Sequence, residues 1–180
     1  TLELHRINLV AGAVDTVDDL GDLQDVGGTD ITNVASLGID QAGALVAVGD
    51  SGGQQTLYTF NNDGNAQADS ELGLTDGDGA NWTDPIKALT VRDNGDVFAV
   101  YANAGVDTLV AIDAAGVVEP VGTGVIEVDG ENVDITSLMF DGQGDLLGLD
   151  ESLTGGKRLI VIDTANPELN SEQLSGAGDI

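Results

Sequence analysis

A phrase of about fifty residues, written three times, limits what this chain can fold into more than any other feature. Its first half reads "ASLGIDQAGALVAVGD" (Ala35–Asp50), "KALTVRDNGDVFAVYA" (Lys87–Ala102) and "TSLMFDGQGDLLGLDE" (Thr136–Glu151). Each copy is an apolar run, a turn around Gly43, Gly95 or Gly144, and a second apolar run from Leu45, Val97 or Leu146. Asp40 and Asp141 open two of these turns, where an aspartate accepts turn amides and the glycine supplies a positive φ. In the middle copy Arg92 stands in the aspartate's place, and the neighbouring Asp93 is expected to do the same work.

A second half follows each hairpin: "TLYTFNNDGNAQ" from Thr56, "TLVAIDAAGVVEPV" from Thr108 and "RLIVIDTANPEL" from Arg158. The opening "ELHRINLVAGAVDTV" shares its skeleton through Leu4, Ile7 and Asn8. Short apolar runs between Gly/Asn/Asp clusters predict strands, and no capped helical stripe is found. With the strands of one repeat called a, b, c and d, the chain reads c-d and then a-b-c-d three times. Its final Asp179-Ile180 resembles the start of a fourth copy.

Four antiparallel strands per repeat of this length predict an all-β, β-propeller-like fold of about three and a half blades. The expected division of the single domain 1–180 is a half-blade at 1–29 and blades at 30–83, 84–133 and 134–180. A β-sandwich is the alternative, although a sandwich has no need of such a period. The phrases "GIDQAGALVAV", "MFDGQGDLLGL" and "RLIVIDTANPEL" resemble the loose repeats of bacterial secreted β-propeller proteins. That resemblance covers nearly the whole chain and implies a fold rather than an activity. Three and a half blades do not close a ring. The reading therefore expects a protein partner or a second copy to complete it, or the chain to be a slice of a longer propeller.

Charge narrows the function. Thirty-two acidic residues against five basic ones give a net charge of −27. Such a surface cannot neutralise phosphates, which excludes nucleic acid and anionic membrane surfaces as partners. No apolar run approaches the ~20 residues of a membrane span. With a first residue that is not Met and no signal-peptide pattern, the chain reads as a processed or cut piece. Acidity with few lysines suits a secreted protein, extracellular or periplasmic.

No catalytic set emerges. His5 is the single histidine and sits in an expected strand, and cysteine is absent. Composition favours only calcium, which takes six to eight oxygen ligands. Asp76, Asp78, Asn81 and Asp84 in "TDGDGANWTD", with Asp129, Glu131, Asn132 and Asp134 in "VDGENVD", offer partial sets. The competing reading makes both loops solvated acidic turns. Asp30, Asp84, Asp134 and Asp179, each at the start of an a strand, form either a cation-attracting channel rim or local turn caps. Trp82 is read as a plug between blades. The basic residues His5, Arg6, Lys157 and Arg158 lie in the two terminal segments and are assigned to a partner interface built by strand addition. Two functions fit: a non-catalytic extracellular module for protein–protein interaction or assembly, which calcium in its acidic loops would stabilise, or a calcium-dependent propeller hydrolase acting on a lactone or ester.

Overall fold

The computed structural model describes residues 3–40, 42–51, 53–60, 66–153 and 156–173. Strands β1 (Glu3–Val10) and β2 (Ala13–Asp22) form a hairpin. Its two-residue turn, Ala11 and Gly12, has positive φ at both positions, the geometry that matches strand twist. Blade 1 contains β3 (Thr32–Ile39), β4 (Leu45–Ser51), β5 (Gln54–Phe60) and β6 (Ser70–Gly73), paired in that order. Blade 2 contains β7 (Ile86–Val91), β8 (Val97–Asn103), β9 (Val106–Ile112) and β10 (Val118–Val125). A small hairpin, β11 (Glu127–Val128) with β12 (Glu131–Asn132), leads into blade 3.

Blade 3 contains β13 (Ile135–Phe140), β14 (Leu146–Asp150), β15 (Arg158–Ile162) and β16 (Glu172–Gln173). Before β16 comes a single helical turn, α1 (Pro167–Asn170), with Pro167 at its first turn. The sequence reading foresaw no helix, because four residues are too few to show a 3.6-residue period.

The repeated turns explain why aspartate dominates the acidic residues. At Asp76, Asp113 and Asp141 the Oδ1 atom accepts the amides of the residues two and four places on, at 2.7–3.0 Å. Asp25 and Asp40 accept the amide four places on, each at 2.8 Å. The residue three places on is in every case a glycine at positive φ, which closes the turn without Cβ strain. In the variant turn Asn94, not Asp93, accepts the amide of Asp96. That arrangement frees Arg92 for another task.

The sheets stack in series. β3 lies beside β7 and β7 beside β13, and the Leu89 amide donates to Ser36 Oγ across the first of these contacts at 3.0 Å. Three apolar layers fill the joints. Leu4, Leu20, Leu23, Ala47, Tyr58 and Phe60 join the β1–β2 hairpin to blade 1. Val46, Val48, Leu89, Ala99 and Val110 join blades 1 and 2. Phe98, Val100, Leu109, Leu138, Leu146 and Ile160 join blades 2 and 3.

Along β8 the consecutive residues Phe98, Ala99 and Val100 are all buried, as are Leu109 and Val110 along β9. Successive strand residues point to opposite faces, so blade 2 is covered on both sides. A two-layer sandwich leaves one face of each sheet in solvent; a stack of blades does not. Backbone bonds reinforce the joints. The Thr75 amide, just past blade 1, donates to Gly116 O of blade 2, and Val118 N donates back to Thr75 O.

Candidate functional site

The connections entering strands β7 and β13 and those following β8 and β14 lie at one end of the stack, where the buried charges also gather. Lys87 on β7 points its Nζ between two carboxylates, Asp107 on β9 at 2.8 Å and Asp134 ahead of β13 at 2.6 Å. Asp107 is buried, and its Oδ2 also accepts the Ile135 amide of blade 3. The Asp134 amide donates to Asp150 Oδ1 at 2.9 Å, and the Ser152 amide joins it at 2.8 Å. Asp150 Oδ2 accepts Arg158 Nε at 2.7 Å. Two cations and three carboxylates thus form a continuous network across the joint of blades 2 and 3.

Buried charge persists only when paired in this way. Burial pushes the Lys87 ammonium down, but Asp107 and Asp134 outweigh it and hold the group above its usual value. Burial likewise pushes Asp150 up; the amides of Asp134 and Ser152 and the Arg158 guanidinium more than offset this and leave it below the usual carboxylate range. Chemically, the network suits a clasp. Each acid already accepts donors, and each cation is held by carboxylates.

Near the other end of the same joint, Arg92 lies over two rings, 5.0 Å from the centre of Phe98 and 4.8 Å from that of Phe140. Its Nη2 donates to Thr164 Oγ1 at 3.2 Å.

The residues singled out from sequence fall in scattered places. In the first acidic loop Asp76 caps its own turn, while Asp78, Asn81 and Asp84 are exposed. Asp129, at φ 56°, and Glu131 belong to the β11–β12 hairpin, and Asp134 faces Lys87. Among the described residues no three His, Cys, Asp or Glu side chains come together in a way that could hold a metal ion. Along the rim, Asp30 accepts Gln24 Nε2 at 3.3 Å, the carbonyl of Asp84 accepts Trp82 Nε1 at 2.9 Å, and Asp134 pairs with Lys87. Asp179 lies outside the described residues.

Trp82 packs into the joint of blades 1 and 2, edge-on to Tyr101 at 4.9 Å. His5 Nε2 sits 3.4 Å from Glu3 Oε2 on the exposed side of β1. Arg6 stands opposite Asp18 in the β1–β2 register, and its side chain is outside the description. Lys157 bonds Glu151, and Arg158 holds Asp150, both within blade 3.

Sequence reasoning missed Lys87, Asp107 and Asp150. The available signal was an Asp inside an otherwise apolar strand run, "VDTLVAI", in a chain with only five cations to pair it.

No protein-family model and no curated protein matches the chain. Solved structures do resemble it. A candidate gluconolactonase superimposes with a TM-score of 0.51 at 14% identity, over 89% of this chain and 53% of its own. A protein from Lactobacillus plantarum gives 0.48 at 12% identity, over 89% and 44%. The extracellular domain of a candidate hybrid two-component system from B. thetaiotaomicron gives 0.47 at 15% identity, over 80% and 17%. The chain therefore spans about half of the first protein and less of the other two. At such identities the likeness is one of fold. With the stacked four-stranded antiparallel sheets, it defines the class as all-β and propeller-type.

Proposed function

We propose that this chain is an exported, non-catalytic propeller module that works by binding protein through apolar surface exposed among its described residues. The observation that carries the reading is on the β1–β2 hairpin, where Ile7, Val10, Val14 and Val17 are 57–62% exposed on a chain of net charge −27. Exposed aliphatic groups gathered on one hairpin mark an interaction surface more often than a plain one. The buried charges support the same reading, because they are tied to one another rather than poised toward a substrate. No described helix is long and apolar enough to cross a membrane.

The competing activity is calcium-dependent hydrolysis of a lactone or ester. It needs oxygen ligands converging on the metal and a base beside them. Incubating the purified chain with chromogenic esters and lactones, with calcium and with chelator, separates the two. The module reading expects no turnover above the buffer blank, with calcium or with chelator. Turnover that disappears with chelator would overturn it.

A further inference from the structure

The sequence has no cysteine, so no disulfide can cross-link it. The joint of blades 2 and 3 holds another pair of groups that can condense. Lys87 Nζ lies 2.8 Å from Asp107 Oδ1 and 2.9 Å from Oδ2. Nearly equidistant from the two oxygens, it is also beside the carbon between them, within the ~3–3.5 Å of a near-attack arrangement.

Three features around this contact suit a reaction between the two groups. The Asp107 side chain is 4% exposed, so little water competes with the amine for its carboxyl carbon. The Ile135 amide donates to Asp107 Oδ2, where negative charge grows when a nucleophile adds to that carbon. A second acid, Asp134, places its Oδ1 2.6 Å from the same Nζ and is 54% exposed, so it stands between the amine and the solvent and can relay protons.

We propose that Lys87 and Asp107 condense to an amide, a covalent staple from β7 to β9 that spans β8. The C–N bond forms between Nζ and Cγ, and the Cγ–Oδ1 bond breaks. Of the three ammonium protons, two leave with Oδ1 as water, relayed by Asp134, and one stays on the amide nitrogen. Nothing is oxidised or reduced, and Asp134 ends as the carboxylate it was. The remaining oxygen still accepts the Ile135 amide, and the new N–H can donate to Asp134.

Separate ammonium and carboxylate ions do not condense in water. Holding them in contact supplies an effective concentration of about 10⁵–10⁸ M, and the product leaves one ion pair fewer to keep partly desolvated. Asp107 and Asp134 hold the Lys87 ammonium above its usual value, so the charged pair is the resting form and the free amine a minor one. The bond therefore forms slowly, after folding has brought the strands together. Lys157 supplies a comparison within the chain. It meets Glu151 in the open, with side chains 49% and 32% exposed, and that pair should not condense.

Intact mass spectrometry of the folded 180-residue chain tests the staple. Wild type should fall short of its sequence mass by one water, the deficit becoming complete on incubation at neutral pH. Digestion should then yield a branched fragment joining Lys87 to Asp107. Lys87→Arg keeps a cation between the carboxylates but has no amine, and should keep its full mass. Asp134→Asn alters an exposed side chain, so circular dichroism should show it folded, and the link should form at least tenfold more slowly. Full mass in folded wild type after days at neutral pH would overturn the proposal. So would a deficit that persists in Lys87→Arg, since it would come from a succinimide at an Asp-Gly step such as Asp78-Gly79. A link that forms at the same rate in Asp134→Asn would overturn the relay assigned to Asp134.

Discussion

Asp150 has no surface in water, yet it keeps its charge. Its partners come from two places, backbone amides at the entry to blade 3 and Arg158 on the neighbouring strand. Removing the carboxylate leaves a guanidinium that is 12% exposed without its acid. Asp150→Ala should therefore cost about 3 kcal/mol or more, on the order of 10 °C in melting temperature for a chain of this size. Asp150→Asn keeps an oxygen for the two amides and should cost less.

The pH dependence has a definite sign. The folded carboxyl is held below its unfolded value, so its contribution is whole above the ordinary carboxylate range and disappears as pH falls through the folded value. The melting gap between wild type and Asp150→Ala should narrow as pH falls below the ordinary carboxylate range. A gap that stays the same however far the pH falls would show that charge is not the cause. Such a residue is illegible in sequence. "GLDE" at 148–151 looks like any of the acidic turn phrases, and only burial separates a clasp from a cap.

At the scale of elements the sequence was easier to read. Turn chemistry and apolar alternation are local, so the Asp-x-x-Gly turns and the strands around them showed in the residues themselves. The joints did not show, because they depend on which face of one repeat meets which face of the next. Arg92 is the clearest case. Its position in a turn hid its use, which is to lie over Phe98 and Phe140 from two different blades.

Gly116 makes the same point. It closes the Asp113 turn at φ +84°, and a Cβ there would stand 2.8 Å from Gly73 O and 3.0 Å from Leu72 Cγ of blade 1. Gly116→Ala should therefore destabilise by about 1–3 kcal/mol. Gly144→Ala, with the same turn and nothing within 4 Å of its Cβ, should cost less. Chemical denaturation of the pair measures the difference. Equal losses would mean that turn strain alone matters and that the joint is loosely packed.

For the whole molecule, the period predicted a stack of blades, and the described residues form three four-stranded sheets in series behind a two-stranded hairpin. What the period could not supply was the exposure of Ile7, Val10, Val14 and Val17 on the β1–β2 hairpin, since a repeat specifies its neighbour equally well within one chain or across two. On the proposed function, that apolar surface is covered when the protein acts. Amide hydrogen exchange of the chain alone and in complex with a protein partner tests this most directly, because it reads each strand separately. Strands β8 and β9, enclosed on both sides, should exchange slowly in either state. Protection in β1 and β2 should rise in the complex. Uptake in those two strands that is the same in both states, or new protection confined to the acidic loop around Asp76 and Asp84, would contradict the proposed function.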